Sequence, residues 1–282
     1  MRTISAAFKK EGKVIGFVPT MGFLHDGHLS LVRESKKHSD ITIVSIFVNP
    51  TQFGPTEDFK TYPRDLDRDC RMLESEGVDF VFVPEAKDIY QSGYQTYVHV
   101  TQLAKKLEGE FRPTHFEGVS TVVTILFNIV QPDAAFFGQK DAQQATLIRR
   151  MVNDLHQGID VRVCSILRES DGLAMSSRNI YLSPSERTDA LVLHNSLLEA
   201  QKIIESGEKG SSAVIGVMST LYENVNSANL DYIKIVDDAT FENIDVLEVG
   251  KSYFILIACK VGKTRLIDNL HVNLRNDGIK FN

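Results

Sequence analysis

The chain of 282 residues has no tryptophan, three cysteines and no surplus of positive charge. Each shortage excludes something. Cys70, Cys164 and Cys259 lie far apart and form no CxxC pair. A disulfide framework and a zinc ribbon are therefore not expected; each thiol reads as a small buried or half-buried residue of a reducing compartment. The formal net charge is −6, which provides no cationic field for a general nucleic-acid surface, although local basic groups can still serve one small anion. No uncharged run reaches the ~18–20 apolar residues of a membrane span. Residues 1–18 carry charges early and lack the apolar core of a secretory signal. A cytoplasmic location without membrane attachment is the expectation that remains.

What is present is an ordinary globular composition, 43% hydrophobic and 24% charged. The length is near the limit for one core, so one larger and one smaller domain are expected. The first half alternates apolar runs with amphipathic stretches. Residues 14–19, 41–48, 78–84, 134–138 and 159–167 read as strands. Residues 28–37, 64–76, 117–131 and 141–155 read as helices. Strands apolar on both faces and alternating with helices predict a doubly wound, Rossmann-like α/β fold with a parallel sheet, whose ligands bind beyond the carboxyl ends of the strands. After Arg178 the texture changes. "SPSE" (183–186) has a capping serine, a proline for the first helical position and a glutamate to complete a capping box. Helices are expected over 184–206 and 211–225, and strands over 230–237 and 252–261. The boundary is expected near 176–180, giving domains 1–177 and 178–282, the second a small α+β unit.

Four stretches follow predicted strands. "TMGFLHDGHLSLV" (20–32) places His25 and His28 three apart where a strand hands over to a helix, with Asp26 as the expected cap. Helix N-terminal amides favour an anion there, and Gly22 and Gly27 allow close approach. Three readings of the pair are open: phosphate binding, a zinc pair, or packing. For zinc, no Cys, Glu or His nearby completes a usual ligand set. "FVNPTQFGPTEDFKTYPRDLDRD" (47–69) predicts a long irregular loop in which Gln52 can orient a small hydroxy-carboxylate. "FFGQKDAQQ" (136–144) offers Lys140 as a point charge for phosphate and Asp141 for ribose hydroxyls, with Gln144 one turn beyond Lys140. "RESDGLAMSSRN" (168–179) offers Gly172, Ser176, Ser177 and Arg178 to wrap a polyphosphate. One sheet can collect all four, which favours a nucleotide-activating enzyme and makes phosphate the better partner for the histidines.

Together "PTMGFLHDGH", "FVNPTQF", "YPRDLDRD", "FRPTHFEGVSTVV", "FGQKDAQQ" and "DGLAMSSRN" resemble the pantoate–β-alanine ligase (pantothenate synthetase) family, in order, over residues 14–182, with "LIDN" (266–269) fitting near the C-terminus. "HDGH" and "MSSR" are also similar to signatures of the wider HxGH nucleotidyltransferase group. The resemblance implies ATP-dependent condensation of pantoate with β-alanine through a pantoyl adenylate, releasing pyrophosphate and AMP. It implies ATP contacts from Met21, Gly22, Phe23, Leu24, His25, Asp26, Gly27 and His28. Further ATP contacts fall on Gly138, Gln139, Lys140, Asp141, the Leu167 backbone, Met175, Ser176, Ser177 and Arg178. Among these, His25, His28, Lys140, Ser176 and Arg178 would carry catalysis. Gln52 and Gln144 would hold pantoate, Gln52 also lying near β-alanine, and Asp69 would support Mg²⁺ from outside its ligand shell. Arg112 and His115 fall in an expected flap. The second domain is expected to act as a lid that keeps water from the adenylate, and the family resemblance implies a homodimer. A nucleotidyltransferase acting on a phosphorylated small molecule and a non-enzymatic nucleotide-binding module are the rival readings.

Overall fold

Two sheets organise the protein in a computed structural model, which describes every residue except Thr56 and Asn276. The position of Thr56 in the expected 47–69 loop therefore lies outside the described residues. The chain order is α1 (Arg2–Lys10), β1 (Ile15–Thr20), α2 (Asp26–His38), β2 (Ile41–Ile46), α3 (Leu66–Ser75), β3 (Phe80–Phe82), α4 (Ala86–Ile89), α5 (Glu108–Phe111), α6 (His115–Val130), β4 (Ala134–Gly138), α7 (Ala142–Asp154) and β5 (Asp160–Cys164). Then come α8 (Pro184–Asp189), α9 (Leu191–Glu205), α10 (Ser211–Thr220), β6 (Ala228–Asp237), β7 (Ser252–Val261), β8 (Thr264–Arg275) and β9 (Gly278–Phe281).

The first sheet is parallel in the order β3-β2-β1-β4-β5. This is the doubly wound α/β arrangement expected from the apolar runs, with its switch point between β1 and β4. Successive strand side chains face opposite layers. Phe17, Ile43 and Phe137 join one core cluster with Val123, Phe127 and Ile148. Their neighbours Val18, Val44 and Phe136 join the other, with Leu24, Leu29 and Val32. Both faces are dry, which is why the strands read as continuous hydrophobic runs.

The second sheet is antiparallel, in the order β6-β7-β8-β9. Leu193, Leu197, Ile204, Val214 and Met218 of α9 and α10 share a core with Ile235, Ile255, Ile257 and Val272. The small α+β unit is thus present, and the Ser183–Pro184–Glu186 capping box starts α8.

The structure divides into two compact units, residues 1–139 with 143–164, and residues 140–142 with 165–282. The division falls after Cys164, so the expected boundary at 177/178 lies inside the second unit. The reason is local: residues 168 and 174 bridge each other, and Arg168 is ion-paired to Asp268 of β8. Other expectations shift. The helix over 184–206 is two helices meeting at Ala190. Strand β5 stops at Cys164 instead of Leu167, and α10 stops at Thr220. Helix α1 and strands β8 and β9 were not foreseen. Strand β8 interrupts its apolar alternation with buried Asp268 and Asn269, which hides the period-2 signal.

Candidate active site

In the first unit, β1 ends at Thr20, whose hydroxyl donates to the Ser45 carbonyl at 2.8 Å and accepts the Gly22 N–H at 3.2 Å. The chain then turns through two left-handed residues, Gly22 (φ 81°) and Phe23 (φ 50°). A Cβ on Gly22 would lie 2.9 Å from Ile46 and 3.1 Å from Asp69, so glycine is required for both conformation and space. The turn aims the N–H groups of Phe23 and Leu24 at one carboxylate, Asp69, at 2.7 and 2.8 Å. Asp69 is 1% exposed. Burial pushes its carboxyl above the ordinary range, although the two amides oppose that. Both oxygens of Asp69, the residue expected to support Mg²⁺, accept amides of the loop.

Helix α2 begins two residues earlier than expected, and its cap moves by one. His25 is the cap and Asp26 is already helical. The imidazoles of His25 and His28 lie with ring centroids 4.0 Å apart. The His25 backbone N–H donates to His28 Nδ1 at 3.3 Å. An Nδ1 that accepts leaves the ring proton of neutral His28 on Nε2, where it serves as a hydrogen-bond donor.

Beyond β2, Pro50–Gln52 forms a 3₁₀ turn capped by Asn49, whose side chain accepts the Thr51 N–H. Gln52 is buried, and its Nε2 lies 2.7 Å from Met21 Sδ. The two stretches predicted to hold ATP and pantoate are therefore side by side. Asn49, which sequence reasoning passed over, organises this turn. Its Nδ2 donates to Gln52 Oε1 and to the Gly118 carbonyl, and its Oδ1 accepts from Tyr90 at 2.8 Å. The signal was an asparagine directly before the proline of a predicted loop, a cap position.

Arg112 and His115, expected in a flap, lie where α5 gives way to α6 and brace the same turn. Arg112 forms a bidentate pair with Glu57, at 2.9 and 2.6 Å, and donates to His115 Nε2 at 3.2 Å. His115 Nδ1 then donates to the Gln52 carbonyl at 3.0 Å. Burial works to raise the Glu57 carboxyl, but the hydrogen bonds and charge of Arg112 outweigh it and hold the group below its ordinary value. Gly138 ends β4, beside β1 at the switch point, followed by buried Gln139 and, one turn into α7, half-buried Gln144. The neighbouring Gln143 is structural: its amide holds the carbonyls of Leu103 and Lys106 and accepts the Glu108 N–H.

The second unit contains the other predicted residues. Lys140 is half-buried and Asp141 exposed, in the 3₁₀ turn Gln139–Asp141. The Lys140 carbonyl accepts from Asn269 Nδ2 at 3.0 Å. Residues 167–175 form a tight hairpin: Met175 N–H donates to Leu167 O, Glu169 N–H to Leu173 O and Gly172 N–H to Glu169 O. Ser176 caps the turn Ser177–Tyr181 by accepting the Arg178 N–H at 3.3 Å. Asn179 ties that turn back to Glu169 and to the Ala174 carbonyl. Gly172, expected among the phosphate-wrapping residues, instead lies against the His194 ring, with its carbonyl held by Arg168.

Among the described residues, no group of three or more His, Cys, Asp or Glu could hold a metal ion. No helix is long and apolar enough to cross a membrane.

A 3-2-1-4-5 parallel sheet with two histidines at the first helix start after β1 defines a nucleotide-handling α/β protein. The sequence profile of the pantoate-beta-alanine ligase family matches residues 1–271. The chain belongs to this family. It is 50% identical over 274 residues to the pantothenate synthetase of Acetivibrio thermocellus, covering 97% of each chain. The crystal structure of the Thermus thermophilus pantothenate synthetase superposes with a TM-score of 0.88 at 41% identity, covering 94% of this chain and 96% of that one. The Francisella tularensis pantoate-beta-alanine ligase, solved in complex with beta-gamma ATP and beta-alanine, superposes at 0.76 with 35% identity over 95% and 93% of the two chains.

Proposed function

We propose that this chain condenses pantoate with β-alanine at the expense of ATP, in two half-reactions. In the first, a pantoate carboxylate oxygen bonds to the α-phosphorus of ATP as the bond to pyrophosphate breaks. In the second, the β-alanine nitrogen bonds to the acyl carbon, AMP leaves with the carboxyl oxygen, and the amine proton passes to solvent. The observation that carries the reading is the His25–His28 pair at the start of α2.

The helix N-terminus and His28 Nε2–H favour negative charge at that point. Attack by an ionised carboxylate needs no proton transfer. His25 and His28 therefore stabilise charge on the phosphates as pyrophosphate departs. Lys140, Ser176 and Arg178 share that task, and Met21 to Asp26, Gly27, Gly138, Gln139, Asp141, Leu167, Met175 and Ser177 complete the ATP contacts. Gln52 and Gln144 hold pantoate, with Gln52 also beside β-alanine; the buried Asn49 and Arg112–His115 bracing keeps Gln52 fixed. Such positioning is where most of the rate acceleration arises when the protein contributes no covalent chemistry.

Mg²⁺ accompanies the ATP. This reading places the ion mainly on phosphate oxygens and water, as a nucleotide-bound Mg²⁺ prefers. The reading includes a cytoplasmic homodimer without nucleic-acid partners, supported by the family resemblance and the net charge of −6; sedimentation at several concentrations checks the dimer.

The test supplies ATP, Mg²⁺, pantoate and β-alanine, omits each in turn, and measures AMP and pyrophosphate. AMP formation that ignores pantoate or β-alanine refutes the reading. His28→Ala should lower turnover by about 10²–10³, the scale for one lost charge-stabilising donor, with ATP affinity changed severalfold at most. Loss of ATP binding outright contradicts the assigned role.

A further inference from the structure

Two adjacent residues of β8 carry a consequence for the phosphate-binding elements. Asp268 and Asn269 are 2% and 1% exposed, in the middle of an unbulged stretch of antiparallel pairing. A buried aspartate on a strand is costly unless it is paired and hydrogen-bonded. Asp268 is: it accepts Arg168 Nη1 at 2.6 Å and Nη2 at 3.0 Å, and the Asn269 backbone N–H at 2.8 Å.

Arg168 passes the connection on. The same Nη1 donates to the Gly172 carbonyl at 3.1 Å, and Arg168 pairs across the hairpin with Ala174. Residues 175–178 follow directly, and Asn179 binds their far end back to Glu169 and Ala174. The 175–178 segment is therefore held at both ends by a hairpin whose base is bolted to Asp268.

Asn269, the next residue, projects to the opposite face of the strand. Its Nδ2 donates to the carbonyl of Lys140. This contact lies within the second unit, to which residues 140–142 belong although they are far from it in sequence.

We infer that Asp268 and Asn269 are positioning residues for the adenylation half-reaction: one dipeptide sets the spacing between the backbone of Lys140 and the loop bearing Ser176, Ser177 and Arg178. The inference rests on the proposed ligase reading, in which these residues grip the triphosphate. The pair touches no substrate. It acts by making one strand the common ruler for two cationic groups, Lys140 and Arg178, that must meet phosphates a fixed distance apart. Helix-packing residues would have sufficed for stability alone; an ion pair and an amide fix direction and register.

The experiment separates the half-reactions. Pantoate-dependent ATP–pyrophosphate exchange reads adenylation, and conversion of supplied pantoyl adenylate with β-alanine reads the second step. Asn269→Ala and Asp268→Asn should raise the ATP KM or lower the exchange rate by about tenfold or more, the scale of an ångström-level misplacement, with the β-alanine step within twofold of wild type. Arg168→Lys keeps the charge but loses the two-pronged contact; it should show the same split and serves if Asp268→Asn does not fold. Asp231→Asn is the control. It breaks another strand ion pair of this sheet, joining β6 to Arg265 of β8 at 2.7 Å, and it should leave both half-reactions unchanged. Equal losses in both half-reactions, or losses that track thermal stability across all four variants, overturn the inference. A wild-type chain without pantoate-dependent exchange overturns the ligase reading instead.

Discussion

Asp69→Asn keeps the shape of a buried side chain and removes its charge. In the native loop its oxygens accept the Phe23 and Leu24 amides at 2.7 and 2.8 Å. Hydrogen bonds to a charged partner contribute ~1.5–3 kcal/mol each. Asparagine retains one acceptor and turns an NH₂ toward the other amide, so one bond is lost and two donors are left facing each other. Against this, burial already raises the Asp69 carboxyl, so neutralising it recovers part of its desolvation cost. The net loss is about 1–3 kcal/mol. At roughly 2–4 °C per kcal/mol for a domain of this size, the thermal midpoint should fall by about 3–10 °C. Phe23 holds a left-handed conformation that costs ~1–2 kcal/mol, so a released amide lets the loop relax away from the start of α2. AMP formation should then fall about tenfold at saturating Mg²⁺. The assay pairs calorimetry with a Mg²⁺ titration of AMP release. An unchanged midpoint together with a raised Mg²⁺ requirement would show that Asp69 works on the metal, and the loop argument would fail.

Gly118→Ala places a Cβ 2.5 Å from the Thr51 carbonyl and 2.6 Å from the Gln52 nitrogen. Overpacking of this kind costs ~1–3 kcal/mol and should raise the pantoate KM more than the ATP KM; equal effects on both would separate Gln52 from pantoate. Gly172→Ala requires alanine at φ 99° and drives its Cβ into the His194 ring, so the midpoint should drop by several degrees, and a midpoint indistinguishable from wild type would contradict the hairpin packing. For Glu57, the folded carboxyl lies below its ordinary value. The stability of its pair with Arg112 is then fully present above the unfolded value of ~4.3 and lost as pH falls through the lower folded value. Glu57→Gln should be less stable at neutral pH and lose less between about pH 5 and 3; parallel melting curves for both proteins across that window would refute the assignment.

The placement of the candidate histidines was legible in the sequence. The spacing in "HDGH" places two histidines at the start of α2, because a strand end, a glycine and an apolar-periodic run mark a strand-to-helix turn wherever they occur. The doubly wound sheet follows from apolar runs long enough to be buried on both faces. The capping box at Ser183 is equally local. What escaped were the residue Asn49 and the contacts of Asp69 and Arg112, each set by a partner distant in sequence. Asn49 matters because Gly118 and Tyr90 come to it, Asp69 because the 22–24 turn does, and Arg112 because Glu57 does.

The amino-acid sequence by itself determined the periodicities, the Ser183 capping box and the candidates proposed for phosphate and carboxylate, because these depend on interactions within a few residues. Only the tertiary structure decided which buried polar groups brace which loops. It assigned residues 140–142 to the second unit, moved the division to Cys164, and joined Arg168 to Asp268, 100 residues further along the chain. Burial makes every unpaired polar atom expensive, so each must find a partner in three dimensions, and no local pattern records where that partner stands in the chain.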